Sequence, residues 1–381
     1  MINILQVGSL CNKTGGPALS LSLQMKGLAL NGVSTECIMP PLQDNEVLVG
    51  DNLKIRYTEQ RRKNIWGYQT VPKYSDVDEL KKDFDLFHIQ YMWDDFVHQF
   101  SAIALNNGIP YIISPRGSLY PQALEIAKWK KKLAWLLYQK KDIEHAACLQ
   151  ATCMDELRYC RDMGIKIPIA ILPNPYDCEG MFDKPIQYSD KFRVGYLGRL
   201  HFRKRVERLI YAFSDLRDEL PESELLIMGS GSKEYEDFLK HEVKVRKLEN
   251  VVFTGFLNGE EKDKAIRSLS VLAVPSDFEN FGNVVSDALS RGVPVIASKG
   301  MPWECLPQNE CGWWIENDQK TINKTILEAS KLQKDDLVRM GKNGQHYVKE
   351  NFSVDVLGKK LSELYRWILG EGEKPDFVYL A

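Results

Sequence analysis

Short apolar runs with strand character recur along this chain, separated by stretches long and amphipathic enough to be helices. INILQV (2–7), TECIM (35–39), LFHIQY (86–91), PYIIS (110–114), CLQAT (148–152) and AILP (170–173) form a first set. FRVGYL (192–197), ELLIM (224–228), VVFTG (251–255), VLAVP (271–275) and PVIAS (294–298) form a second, more evenly spaced one. Strands alternating with helices of about ten or more residues specify parallel sheets with helices on both faces. The expected fold class is α/β, with two doubly wound, Rossmann-like domains whose parallel sheets face across a cleft.

Between the sets lies LPNPYDCEGMFDKPIQYSDK, rich in proline and without periodicity. It reads as a linker over about 174–190, which bounds a first domain at 1–180 and a second at 188–352. Past Gly312 the pattern gives three amphipathic segments, about 318–331, 333–350 and 353–369, and no further strand. The last carries Trp367 and Leu369 at its far end, which assigns 353–381 to packing back on the first domain.

Bulk properties exclude several classes. A chain of 381 residues is too long for one ordinary core. Lys+Arg 50 against Asp+Glu 52 leaves a net charge of -2, so no nucleic-acid partner is implied. The opening MINILQVGSL lacks the basic n-region of a signal peptide, and no run approaches about 18 apolar residues. The expected location is the cytoplasm, including the inner face of the cell membrane. His145, Cys148, Cys153 and Cys160 match no zinc spacing, and the cysteines read as reduced thiols. Asp83-Phe84-Asp85 has an Asp-x-Asp form, but in a polar lead-in to a strand it reads as a solvated turn. No metal site is expected.

Four segments that directly follow strands carry chemistry, and in an open α/β sheet the carboxyl ends of strands are where ligands bind. Gly15 and Gly16 precede Pro17, a residue suited to a first helical turn, so backbone N–H groups there favour an anion. The strict dinucleotide fingerprint is absent, which disfavours a nicotinamide enzyme. Arg199 and Lys204 follow FRVGYL, and cations converging at a strand end suit a diphosphate. The bland alternative is a solvated basic helix start, but such a cluster opposes the helix dipole. Gly229 and Gly231 form another turn open to close backbone approach. Finally, VLAVP leads to Glu279, Phe281, Gly282, Asn283, Val284 and Asp287: two carboxylates able to accept from vicinal hydroxyls, around a helix start able to hold phosphate oxygens.

These segments, in this order, resemble the retaining, nucleotide-sugar-dependent glycosyltransferases of family 4 (group 1), which have the GT-B fold. The stretch from Glu279 to Ser298 follows the family's pattern of two acids eight positions apart with a trailing Gly-x-Pro-Val. SPRGSLYPQAL (114–124), LPNPYD (172–177), Gly198-Arg199-Leu200 and MPWECLPQNECGWW (301–314) are similar to members that build bacterial surface polysaccharides, lipopolysaccharide among them. The resemblance implies a hexosyl transfer from a UDP- or GDP-sugar to a saccharide or lipid-linked saccharide, without metal or further cofactor. The first domain would bind the acceptor and the second the donor. Arg199 and Lys204 would hold the donor diphosphate, Glu279 would contact the sugar and Asp287 the ribose, while Gly15 and Gly16 would reach the diphosphate from the first domain. Three departures stand out: Asp287 replaces a glutamate, Arg205 replaces a glycine, and Ser114-Pro115-Arg116-Gly117 occupies the place of a histidine. Arg116 and His88 are the acceptor-side candidates.

From 116 to 141 the charge balance turns basic, with Trp129, Leu133, Leu136 and Leu137 on one side of a predicted helix. Two readings stand: peripheral contact with an anionic membrane, or an apolar side packed on the first sheet with solvated lysines. For the whole chain, a nucleotide-sugar 2-epimerase of the same fold and a non-catalytic sugar-nucleotide-binding homologue are the alternatives to a transferase.

Overall fold

The computed structural model describes residues 2–43, 45–60, 62–63, 69–70, 72–182, 184, 186 and 188–381. The chain divides into two compact units, Met1–Asp177 with Phe352–Ala381, and Cys178–Asn351. Residues 183, 185 and 187 of the proline-rich linker lie outside the described residues.

In the first unit the strands are β1 (Asn3–Val7), β2 (Ser34–Met39), β3 (Ile55–Tyr57), β4 (Arg62–Lys63), β5 (Gln69–Thr70), β6 (Leu86–Gln90), β7 (Tyr111–Ser114), β8 (Cys148–Ala151) and β9 (Ile169–Ile171). Apart from the small β4–β5 pair, they form a parallel sheet in the order β9-β8-β7-β6-β1-β2-β3. Burial on both faces explains why these strands read as continuous apolar runs rather than alternating ones. Ile4, Leu5, Leu86, Phe87, Ile112 and Leu149 are all buried.

The C-terminal helix Val354–Ile368 belongs to this unit. Leu361, Leu364 and Tyr365 pack into the same core as Ile4, Leu86 and Ile112, with Trp367 and Leu369 at its margin. It crosses the helix Gly16–Leu30 at Gly27 and Gly358, where a Cβ on either glycine would lie within 2.4 Å of the other helix's backbone. Beyond it, Val378–Tyr379 adds an antiparallel strand to the free edge of β9.

In the second unit β10 (Arg193–Leu197), β11 (Glu224–Met228), β12 (Val251–Gly255), β13 (Val271–Val274), β14 (Val295–Ser298) and β15 (Gly312–Ile315) are all parallel, in the order β12-β11-β10-β13-β14-β15. The expectation of no strand past Gly312 therefore needs correction twice, at β15 and at Val378–Tyr379. Both are short edge strands whose partner, not their own pattern, defines them. The predicted helices appear as Gln319–Ser330, Lys334–Phe352 and Val354–Ile368. Among the described residues no helix is long and apolar enough to cross a membrane.

Candidate functional site

Each sheet has one place where the strand order reverses. The first winds outward from β1 and resumes with β6 on its other side; the second does the same at β10 and β13. At such a point the loops leaving the two strands diverge and open a crevice beyond their carboxyl ends. A cavity lies at each: about 540 Å³ lined by Gly8, Ser9, Lys13, Thr14, Tyr91 and Asp94 among others, and about 740 Å³ beside Gly198, Arg199, Val284 and Asp287. Both fall within the range of small-ligand sites, about 300–1,000 Å³.

After β10 the chain passes through a 3-10 turn at Phe202–Lys204 and a left-handed residue, Arg205 (φ 52). Glycine takes that conformation without strain and arginine does not. Arg205 Nε donates to Asp277 Oδ2 at 2.6 Å, an ion pair that favours the otherwise costly residue. The Lys204 ammonium donates to the Glu279 carboxylate. Burial, reinforced by Arg203, pulls Lys204 down to about 8, while the Glu279 contact favours its charged form. Arg199 is exposed and lines the larger cavity; no side-chain hydrogen bond or ion pair engages it among the described residues.

After β13, Glu279 N donates to Gly300 O at 2.8 Å and Ser276 Oγ to Glu279 Oε1 at 3.4 Å, which fixes the loop. Phe281 turns inward onto Trp303, whose indole N–H donates to Phe281 O at 2.6 Å. Gly282 (φ 83) then starts the helix Asn283–Leu289. Asp287, one turn in, accepts from Lys262 Nζ at 2.8 Å and from Arg291 Nη1 at 3.4 Å. Arg291 is itself held by Asp263, 2.9 Å away. Burial pushes the Asp263 carboxyl up, but Lys184, Arg267 and Arg291 overcome it and hold the group at about 2. Asp287 is thus backed by a chain of fixed charges.

The larger cavity brings together Arg199, Gly229, Gly231, Val284 and Asp287 from the sequence-derived set, with Phe256 and Lys262. Lys204, Glu279, Phe281, Gly282 and Asn283 are outside its lining. Gly229 and Gly231 have a more immediate constraint than a ligand. A Cβ on Gly229 would lie 1.9 Å from Gly198 O, and one on Gly231 2.0 Å from Leu200 O. The two strand-end loops run backbone to backbone there, with Leu200 N donating to Ser230 O at 2.9 Å.

In the first unit Gly15 and Gly16 are exposed at the start of the Gly16–Leu30 helix, with Pro17 in its first turn. Arg116 does not line the smaller cavity. Its guanidinium donates to Gln90 Oε1 (2.6 and 3.0 Å), Ser20 Oγ (3.1 Å), Asn174 Oδ1 (3.1 Å) and Gln24 Oε1 (3.4 Å), tying strand, helix and loop together. His88 is fully buried between Tyr365 OH and Ser114 Oγ, 2.7 Å from each. Burial, then the charge of Arg116, pulls it down to about 3, so the ring is neutral and packed. Asp83 accepts from Arg56 at 3.0 Å and Asp85 from Asn3 N at 2.8 Å, at the opposite end of the sheet from the strand carboxyl ends. Cys148 and Cys160 are buried thiols pushed up to about 12 by burial. Among the described residues no three His, Cys, Asp or Glu side chains cluster as a metal site.

Two lining residues escape sequence reasoning. Lys262 is an ordinary lysine of a charged helix, Gly259–Arg267, until its pairing with Asp287 is seen. Tyr91, the residue after β6, takes φ 100, and its buried hydroxyl has no hydrogen-bond partner among the described residues. Tyr91 also lines the smaller cavity.

Residues 15–175 match the family described as glycosyl transferase 4-like domain, and residues 179–347 the glycosyl transferases group 1. The α-1,3/1,6-mannosyltransferase alg2 of Schizosaccharomyces pombe is 29% identical over 192 residues, 43% of this chain and 38% of that protein. The capsular polysaccharide biosynthesis glycosyltransferase CapM of Staphylococcus aureus is 28% identical over 189 residues, 49% of this chain and 48% of that protein. The matched segments thus span less than half of either relative. Among solved structures, Anabaena Alr3699/HepE in complex with UDP and glucose superposes with a TM-score of 0.72 at 15% identity, over 96% of this chain and 100% of that one.

Proposed function

This chain belongs to the group 1 glycosyltransferases and has the GT-B fold, and on that premise we propose that it is a retaining enzyme moving a hexosyl group from a UDP- or GDP-sugar to a saccharide or lipid-linked saccharide in surface polysaccharide synthesis. The observation that carries this reading is the cluster at the β10 and β13 strand ends: exposed Arg199, half-buried Lys204 against Glu279, and Asp287 fixed by Lys262 and Arg291. CapM, a capsular polysaccharide enzyme by name, supports the pathway, and the UDP and glucose of HepE support the donor class.

The chemistry follows from the parts. The bond from the sugar's anomeric carbon to the diphosphate oxygen breaks, and the acceptor hydroxyl oxygen bonds to that carbon from the same face. The proton of the hydroxyl passes to the leaving phosphate oxygen. Negative charge grows on the phosphate, so Arg199 and Lys204 stabilise the transition state more than the ground state. Glu279 orients the sugar and Asp287 the ribose hydroxyls. The diphosphate charge is met by side chains, and turnover is expected to need no metal.

The test is direct. The purified protein is screened by thermal shift against UDP, GDP and ADP, and the stabilising nucleotide's sugars are then assayed with saccharide and lipid-linked acceptors, with and without EDTA. Selective stabilisation followed by acceptor-dependent transfer in EDTA supports the proposal. Conversion of the sugar without any acceptor identifies an epimerase instead. Activity lost in EDTA and restored by manganese overturns the assignment to Arg199 and Lys204.

A further inference from the structure

The helical stretch from Pro121 to Glu144 has two faces that packing treats differently. It comprises Pro121–Glu125, Lys128–Ala134, a π-helical turn at Trp135–Gln139, and Lys140–Glu144. The inner face is held by the first unit. The Trp135 ring lies 6.2 Å from Trp93, and the Tyr138 ring 4.3 Å from His98. Gln139 Oε1 accepts from Trp93 N at 2.9 Å, and Asp142 is hydrogen-bonded to His98 Nδ1 at 2.8 Å. The wide turn is therefore anchored on one side.

On the outer face stand Ile126, at the break between the first two segments, and then Trp129, Leu133, Leu136 and Leu137, with Leu133 four residues from Trp129 and three and four from Leu136 and Leu137, the spacing of a stripe that is normally buried. Here they are 62%, 78%, 58%, 71% and 70% exposed. Residues 126–141 contain six lysines and no acid. Lys131 turns inward to Ala123 O, Lys128 and Lys140 pair with Glu125 and Glu144, and Lys132 lies 5.5 Å from the Trp129 ring. The surface is thus apolar at its centre and cationic at its border.

We propose that this face docks on an anionic lipid bilayer, with Trp129, Leu133 and Leu137 in the acyl boundary and the lysines among headgroup phosphates. Charge selects this occupant over a second copy of the chain. Two such faces in contact would bring like charges together in a desolvated border, whereas an anionic sheet complements the net positive charge of that border. Tryptophan and leucine on one side with lysine around them is the composition that partitions into a membrane interface. The inference does not depend on which sugar is transferred, and it accounts for how a lipid-linked acceptor would be reached.

Flotation of the whole chain with vesicles tests it without any transfer assay, so its failure leaves the transferase reading untouched. The native protein should float with phosphatidylcholine–phosphatidylglycerol vesicles and poorly with phosphatidylcholine alone. Leu133→Ser with Leu137→Ser should abolish flotation while the circular dichroism spectrum is kept. Lys132→Ala with Lys141→Ala should weaken binding about twenty-five-fold, from about five-fold per surface cation. A milder pair, Leu136→Gln with Leu137→Gln, serves if the serine variant folds poorly, and flotation of that pair at the native level overturns the proposal. So does a native chain that ignores anionic vesicles but sediments as a dimer that the leucine variants dissociate.

Discussion

The Lys204 ammonium is bonded to the Glu279 carboxylate, joining the loops that leave β10 and β13. A diphosphate arriving at Lys204 therefore competes with a residue that the proposed reaction needs at the sugar. On the proposed reaction, binding of the donor would exchange one charged partner of Lys204 for another and release Glu279 towards the sugar hydroxyls. The pair is a preorganising contact, and its two members should fail differently.

Lys204→Ala should lower kcat by about 10²–10³-fold, the scale for removing one preorganised donor to a developing charge. Glu279→Gln should keep nucleotide affinity near native and lose turnover, because it spares the diphosphate cation. Steady-state kinetics beside calorimetric titration with nucleotide separates the two. Equal losses of nucleotide affinity in both variants would contradict the division of roles.

Nucleotide affinity should fall at alkaline pH. Lys204 sits at about 8, so its ammonium is mostly present at neutral pH and is lost as pH rises through that value. If the diphosphate requires the charged form, the dissociation constant should rise on the order of tenfold per pH unit above about 8. Titrations in buffers of different ionisation enthalpy should show proton uptake on binding near pH 8, and Lys204→Met should show none.

Asp287→Ala should weaken nucleoside diphosphate binding by about ten- to a hundredfold, the range for hydrogen bonds to a charged group. The variant leaves Lys262 without its 2.8 Å partner beside the cavity. If ribose recognition is the source of the effect, as proposed, the 2′,3′-dideoxy nucleotide should bind native and variant protein alike. Unequal binding of that analogue would place Asp287 elsewhere.

His88 should steepen acid unfolding. An unfolded histidine titrates near 6.5, and in the folded chain His88 is held down to about 3. Below 6.5 the unfolded state binds a proton that the folded state refuses. The stabilising contribution is therefore full above 6.5 and is lost as pH falls towards 3, at about 1.4 kcal/mol per pH unit. His88→Gln should flatten this part of the urea-midpoint profile between pH 6 and about 4.

Gly358→Ala should destabilise the first unit without touching the candidate site. Its new methyl would meet the Gly27 backbone at 2.3 Å, and neither helix can yield without moving the core under Tyr365. Overpacking of this kind costs about 1–3 kcal/mol. Chemical denaturation should show the loss, while nucleotide binding measured by calorimetry stays native.

Much of this protein is legible in its sequence because the relevant signals are local. Apolar runs such as RVGYL and VLAV specify buried strands by themselves, and their alternation with helices fixes a parallel sheet. The loops proposed to hold the donor, with Arg199, Lys204, Glu279 and Asp287, are legible as the segments that leave the carboxyl ends of those strands. What only tertiary structure decides is partnership and burial, which depend on residues distant in the chain. Gly312–Ile315 becomes a strand because β14 offers a free edge. Gly229 is required by Gly198 O, thirty-one positions earlier. Lys262 becomes a site residue through Asp287, and Arg116 becomes a structural tie through Gln90, Ser20 and Asn174. The stripe Trp129–Leu137 carries the spacing of a core helix and stands in solvent, because the inner face of the same helix already fills the first unit's contact. Periodicity states that a helix has an apolar face; only the packed chain determines whether the molecule itself covers it.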